Sequence, residues 1–486
     1  MTNEEVWAGI DVGTTGAKLV LVDREGKAVA SGVRRYRNTL GSRDEAAGVE
    51  QDAEDWWTAV VELLRELVPG HRVRAVAVTS QAPSFVGIDA AGAPVGPALL
   101  WADRRAQGEA MTLQQGLAVA RIDPLDTPGD AYFGTGKLLW LARNRPDQLE
   151  RCRHVLSTNG FIVERLTGAA CLDLSTATML QGFHREGRDP LLAQLGVPID
   201  LLPPVVASIE VAGVVTAAAA ETTGLPAGIP VAAGAIDAVG TALEAGALLP
   251  GDPFVEMTGF STVGMVPTAA GLPAQGLIRS AHCFAGVDLL LTAQVTSGAV
   301  IDWLVALTGG DRAVLDPVRL RAVTRPGRVR MLTALAGERT PGWNPWIRGL
   351  IGGIGLDTSA ADLVVAAMEG VAVALELDRR LLAEHGLPVD VVRSTGGGSA
   401  NPVWLQIKAD VLGLPVERPR AGSGAAHGAA LLAGLAGGDI DGPDEVRALT
   451  DGPTQHYRPD PLVHAGYRQR IAEIVMLRGA AVSLVI

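Results

Sequence analysis

The sequence predicts an α/β protein of two domains, and three observations carry that expectation. The chain has 486 residues, more than one hydrophobic core usually serves. Its N-terminal stretch alternates strand and glycine turn before an amphipathic helix. About half a chain later the strand–turn–strand pattern returns. Any hairpin would give such an echo, but two copies of one fold would give it as well. Hydrophobic residues make up 48% and charged residues 19%, the balance of a globular chain with ample core.

In order, residues 6–11 and 18–23 read as strands around "DVGTTGAK", with a turn at Arg24-Glu25-Gly26 and a third strand at 28–31. Residues 52–67 (DAEDWWTAVVELLREL) carry acids in the first turn and apolar residues at helical spacing. Buried strands are expected at 73–79 and 85–89, and 231–234 reads as a strand running into a loop. Helical patterning stops near Gly246, and a second meander begins at 254–257 and 263–266 across the small-residue turn Thr258–Thr262. Helices follow at 297–307, 359–385 and 402–412, with a strand at 389–394. A last helix is expected to begin in the run Gly424–Ala430.

Composition excludes several classes. A net charge of −12 without a basic run argues against nucleic acid as a partner. The most apolar window, 363–377, contains Glu369 and Glu376 and is too short to span a bilayer. Asn3-Glu4-Glu5 stands where a signal peptide would be positive, so no membrane partner and a cytoplasmic location are expected. Cys152, Cys171 and Cys283 fit buried free thiols rather than a disulfide framework, and the histidines lack zinc spacing. Lysine occurs only at 18, 27, 137 and 408, so a lysine beside a glycine-rich turn stands out.

Three stretches could carry chemistry. The first is Asp11–Lys18, which lacks the P-loop spacing and is followed by a strand rather than a helix. What remains is a hairpin tip whose N–H groups, threonine hydroxyls and Lys18 could surround phosphate oxygens, with Asp11 serving Mg²⁺ through water; an empty glycine hairpin is the plainer alternative. The second is Asp237, delivered by a strand ending in glycine to the start of a helix, either as an N-cap or as a general base for a hydroxyl. The third is Ser394–Asn401, whose glycines permit close approach of a flat ligand such as adenine.

Taken together and in this order, the chain resembles the FGGY family of carbohydrate kinases, with a xylulokinase-like layout over about residues 6–470. The matching elements are D-x-G-T-T-x-x-K at 11–18, Gln51–Trp57, Trp101–Arg105, Thr135–Trp140, Asp237, Asp302-Trp303, Gly337–Pro341, Gly349–Gly370 and Gly396–Gly398 with Trp404. The resemblance implies two ribonuclease-H-like domains of the actin/hexokinase type closing on a cleft. Residues 1–246 would form the sugar-binding, catalytic N-terminal domain and 247–486 the nucleotide-binding one. It implies ATP and Mg²⁺ as cofactors and a sugar or polyol as substrate, such as a ketopentose. Gly13, Thr14, Thr15 and Lys18 would face the ATP phosphates, with Gly259 and Ser261 as a second phosphate loop. Gly397, Gly398 and Asn401 would line the adenine pocket. Asp237 would be the base and, with Asp11, would serve Mg²⁺ through water; Gln81, Trp101, Asp103 and Arg104 would lie toward the sugar. A homodimer is also compatible with the resemblance, although no stretch reads as an interface.

Departures narrow the expectation. Gln81-Ala82-Pro83-Ser84 stands where xylulokinases usually read Gln-Met-His-Gly, and Ala238 follows the base where relatives place Asn or Gln. Trp101-Ala102-Asp103 replaces Trp-Asn-Asp. Lost polar partners disfavour a substrate with many hydroxyls, so a deoxysugar, a short polyol or an unusual ketose is expected. Phe260 replaces the threonine of the second phosphate loop. That exchange leaves a second reading, a catalytically weak homologue that binds sugar or nucleotide.

Overall fold

The structure is a computed structural model and describes residues 4–36, 39–40, 48–119, 129–184, 187–188, 190–419 and 424–484. Three strands, β1 (Glu4–Val12), β2 (Gly16–Asp23) and β3 (Ala28–Arg35), form an antiparallel meander. Helix α1 (Ala53–Leu67) begins at Asp52, whose side chain accepts from Glu54 N at 3.0 Å. Its Trp56, Val60, Leu63 and Leu64 recur at helical spacing and are buried in one cluster with Leu19 and Leu21 of β2. The chain then crosses back, so that β4 (His71–Ser80) pairs with β1 in parallel. Further strands β5 (Val211–Val214) and β6 (Pro230–Ala232) complete the order β5-β6-β4-β1-β2-β3, and the short β7 (Ala235–Ile236) pairs with the end of β4.

A second seven-stranded sheet repeats this plan. β8 (Phe254–Thr258) is antiparallel to β9 (Thr262–Ala269), with β10 (Ile278–Ala281) and β11 (Val287–Gln294) beyond it. On its other side β8 pairs in parallel with β12 (Val392–Thr395), then β13 (Val416–Pro419) and antiparallel β14 (Pro453–Tyr457) follow. The shared pattern is a meander whose first strand also takes a parallel neighbour, so the echo in the sequence is a repeated fold. The strand expected at 389–394 is the later Val392–Thr395. The helix expected to be the last spans Ala425–Ala436, and helices Pro443–Thr450 and Pro461–Ser483 follow it. The strand near residue 85, Phe85–Ile88, belongs to a separate small sheet with Ala98–Leu99, which delivers the loop bearing Trp101. Among the described residues no helix is long and apolar enough to cross a membrane.

Helix Ala425–Ala436 packs on the first sheet and against helix Asp237–Ala245, and small residues permit the approach. A Cβ on Gly428 would lie 1.7 Å from Gly240 O, and one on Gly9 of β1 would lie 2.0 Å from Ala426 O. This contact holds the start of helix 237–245 beside the end of β1. Gly428→Val should therefore lower unfolding stability by roughly 3 kcal/mol, because backbone rather than a movable side chain must yield. A denaturation midpoint equal to wild type would show that the crossing tolerates bulk.

Candidate active site

The β1–β2 hairpin sets two opposite charges face to face, since its register pairs Asp11 with Lys18. Thr79 Oγ1 donates to Asp11 Oδ1 at 3.0 Å. Burial pushes the Asp11 carboxyl up to about 6 despite the opposing effects of Thr79 and Lys18. The loop carbonyls between the strands are engaged away from any ligand. Tyr36 Oη donates to Gly13 O, Gln51 Nε2 to Thr14 O at 2.7 Å, and Tyr36 N to Thr15 O at 3.3 Å. No acceptor among the described residues takes the N–H of Thr14 or Thr15, which leaves the loop's donors for an anion.

The second loop is built the same way. Gly298 N donates to Gly259 O at 3.0 Å, and Ser297 N and Ala299 N donate to Phe260 O at 2.9 and 3.2 Å. The carbonyls of 259 and 260 thus cap the helix Gly298–Leu307. Ser261 O accepts from Gly259 N at 2.8 Å. Phe260 itself is 60% exposed and lines a cavity of about 470 Å³ with Thr15, Gly259, Gly397, Gly398 and Asn401.

Asp237 is the first residue of its helix, and Ile236 rather than Asp237 occupies the cap position. Its Oδ1 accepts from the neighbouring Ala238 N at 2.8 Å rather than from an N–H two or three residues further into the helix. The N-cap alternative is therefore ruled out. Burial and, next, the charge of Asp11 push its carboxyl up to about 7. A cavity of about 430 Å³ is lined by Asp11, Lys18, Asp237, Glu244, Ser394–Gly397 and Arg418. Gly397 belongs to this cavity and to the one beside Phe260, so the two meet at that residue.

The glycines differ in what they do. A Cβ on Gly259 or Gly397 would meet nothing within 4 Å and would project into open cradle. A Cβ on Gly398 would lie 2.5 Å from the Thr258 side chain, so that glycine serves packing. Asn401 Oδ1 accepts from Val403 N and Trp404 N as a helix cap, which leaves its NH₂ group for the cavity. Beneath both loops a buried Lys408–Glu256 pair binds them together, with Lys408 Nζ reaching Thr258 Oγ1 at 3.1 Å and Ser394 Oγ at 3.3 Å.

On the sugar side the expectations divide. Trp101 Nε1 donates to Thr14 Oγ1 at 3.0 Å, which joins this wall to the phosphate hairpin. Gln81 is buried, and its Nε2 donates to Gln51 Oε1 at 3.0 Å; its Oε1 has no partner among the described residues. Asp103 is a correction. Its carboxylate accepts from Val49 N at 2.9 Å, Arg105 N at 3.0 Å and the Arg105 guanidinium, so it clasps the loop and is not open to a sugar. Arg104 is likewise committed, with Nη1 and Nη2 on the two oxygens of Asp130 at 2.6 and 2.9 Å.

Two residues to which the sequence reading assigned no role complete this wall. The Arg339 guanidinium lies 3.8 Å from the Tyr132 ring centroid and 5.0 Å from that of Trp101. Tyr132 Oη donates to Ala82 O at 3.3 Å, and its phenol feels both Arg339 and Asp237 electrostatically. Arg339 lies within the motif Gly337–Pro341 and Tyr132 three residues before Thr135–Trp140. The sequence gives no sign that these two segments meet.

The residue set fits a divalent cation of the hard, oxygen-loving kind. Asp11 and Asp237 line one cavity, and each feels the other's charge or its own burial strongly enough to be raised well above an ordinary carboxylate. Among the described residues no group of three or more His, Cys, Asp or Glu forms a cage. A Mg²⁺ held by one or two carboxylates, water and phosphate oxygens needs no such cage.

Two ribonuclease-H-like sheets with an acid, a lysine and two glycine loops around a shared cavity define a phosphotransferase of the actin/hexokinase class. Comparison with known proteins makes that class specific. The N-terminal domain profile of the FGGY family of carbohydrate kinases matches residues 6–243, and its C-terminal domain profile matches residues 259–437. A xylulose kinase of Streptomyces rubiginosus is 32% identical over 444 residues, covering 89% of this chain and 88% of that protein. A glycerol kinase of Myxococcus xanthus is 29% identical, covering 90% and 92%. The solved structure of a xylulose kinase from Rhodospirillum rubrum superposes with a TM-score of 0.84 at 27% identity, over 98% of each chain. The chain belongs to the FGGY family of carbohydrate kinases and is an ATP-dependent sugar or polyol kinase.

Proposed function

We propose that the chain transfers the γ-phosphoryl group of ATP to a primary hydroxyl of a short sugar or polyol, with Asp237 as general base. The observation that carries this reading is the single cavity shared by Asp11, Lys18, Asp237 and Gly397. The Asp237 carboxylate takes the hydroxyl proton, the alkoxide oxygen forms the new P–O bond, and the bond from the γ-phosphorus to the bridging oxygen breaks to release ADP. The N–H groups of Thr14, Thr15, Phe260 and Ser261 hold phosphate oxygens, since those of Gly13 and Gly259 are turned to Gly16 O and Ser261 O within their own loops, and Lys18 offsets the phosphate charge. Asp11 and Asp237 would hold Mg²⁺, which supplies neutralisation of the phosphate charge when bound. Gly397, Gly398 and the Asn401 amide would take the adenine. Residues 1–246 would carry the sugar and 247–486 the nucleotide, with closure between them excluding water. ATP supply suits a cytoplasmic setting.

ADP release measured over a panel of ketoses and polyols tests the reading. D-Xylulose and glycerol come first, because relatives named for those substrates are similar along nearly the whole chain. Turnover with at least one member is expected; ATP binding without any turnover would favour the catalytically weak homologue. Lys18→Ala should raise the KM for ATP and lower kcat, together by roughly a hundredfold in kcat/KM. Unchanged kinetics would remove Lys18 from the phosphate site.

A further inference from the structure

Asp237 is the first residue of its helix, so the backbone of Ile236 before it governs where its carboxylate points. That backbone is held by a side chain from another part of the chain. Ile236 N donates to Ser175 Oγ at 3.0 Å, and both residues are buried. Ser175 belongs to the short helix Leu174–Ala177, and its hydroxyl in turn donates to Asp173 Oδ1. Asp173 is buried as well; Thr176 N donates to the same oxygen at 2.9 Å, and Asn159 Nδ2 donates to the other at 2.9 Å. Asn159 also donates from N to Ser80 Oγ at 3.0 Å and from Nδ2 to Ala233 O at 3.3 Å.

These bonds close on themselves around the base. Ser80 is the register partner of Ile236 where β7 pairs with β4, and Thr79 beside it holds Asp11. Ser175 is also gripped from the second sheet. Its carbonyl accepts from Ser280 Oγ at 3.1 Å, and Thr178 Oγ1 accepts from Ala281 N at 2.7 Å, both donors lying on β10. A hydroxyl locked by its own neighbours fixes the N–H it accepts more closely than a mobile one could.

We infer that Ser175 is the positioning residue of Asp237, holding Ile236 N so that the carboxylate stays within reach of the acceptor hydroxyl. The inference rests on the reading of Asp237 as the base. Ser175 lines neither cavity, so it acts through the strand end it holds rather than on substrate. A base must stand about 3 Å from the hydroxyl it deprotonates, and a displacement of about 1 Å can lower the rate about a hundredfold. Without the Ser175 hydroxyl, Ile236 N loses a buried acceptor and Asp173 loses a donor, and the turn before the base is free to move. The two glycine loops around the nucleotide cavity do not depend on this hydroxyl.

Ser175→Ala should lower kcat by about thirtyfold and leave the KM values for ATP and acceptor within about threefold of wild type. Ser175→Thr keeps the hydroxyl and should recover most of that loss. A double-mutant cycle separates positioning from a purely structural role. In an Asp237→Asn background, whose residual transfer is read by single turnover, Ser175→Ala should lower the rate by less than about twofold more, because the group it positions is gone. A hydroxyl that only supports the fold would lower the rate by the same factor in both backgrounds. Such an equal loss overturns the inference, as does wild-type kcat in Ser175→Ala or a threonine variant no better than alanine. Calorimetry with ATP reports that each variant is folded. Failure of the underlying reading looks different: wild-type protein without ADP release on any acceptor refutes the kinase, and Asp237→Asn turning over like wild type refutes the base.

Discussion

Asp237→Asn lowers kcat by about three orders of magnitude and leaves the dissociation constant for ATP within about threefold of wild type. Asparagine keeps the size and the hydrogen bond from Ala238 N, so the helix start is not disturbed. What it removes is the capacity to accept a proton from the acceptor hydroxyl. The other carboxylates that line this cavity are engaged elsewhere, Glu244 accepting from Gly424 N at 2.8 Å. Asp11 is held by Thr79 and sits opposite Lys18 on the phosphate side. Lys137 is buried against the carbonyls of Asp103 and Ala131, pulled down to about 7 chiefly by burial, and faces the sugar-side loops instead of the cavity. Single-turnover measurements at saturating ATP separate chemistry from binding. An asparagine variant retaining more than a few per cent of wild-type turnover would remove Asp237 as base.

The parts of this site that were legible in the sequence are those assembled over short stretches. Asp11 and Lys18 meet because a tight hairpin pairs them, and Asp237 lies where a strand ends and a helix starts. The repeated meander was likewise visible as two strand–turn–strand patterns, and the register then showed it to be one plan used twice. Contacts between distant segments were not legible. Whether Asp103 faces the cleft depends on Arg105 and on Val49 N, and in the fold both claim it. Arg339 gains its place only when its loop packs over Tyr132 and Trp101. The buried Lys408–Glu256 pair looks in sequence like two ordinary surface charges, since nothing local says that both are enclosed. Pattern rules read local geometry and periodicity; they do not read which loops converge.

The raised carboxyls make activity and stability respond to pH in opposite directions. The base works only when ionised, so kcat/KM should rise with pH and level off above about 7, the value to which burial and then Asp11 push Asp237. At pH 5 roughly a hundredth of such a group is ionised, an expected loss of about a hundredfold relative to pH 8. Asp11 titrates near 6 in the same cavity, so the limb belongs to the pair. Asp11→Asn should move the limb to lower pH by removing the neighbouring charge, yet leave it above an ordinary carboxylate because burial, the larger cause, persists. A limb near pH 4, or one that Asp11→Asn does not move, would contradict this electrostatic account. Stability runs the other way. A carboxyl whose pKa is higher folded than unfolded binds its proton more tightly in the fold; that contribution is full below about 4 and is lost as pH rises through about 7. Asp237→Asn escapes this penalty. Its melting temperature should therefore exceed that of wild type above pH 7, with the gap closing toward pH 4 in the absence of nucleotide. A gap of the same size at both ends would mean that Asp237 does not bear the charge cost in the fold, and the residue with the largest effect on turnover would then have lost its electrostatic explanation.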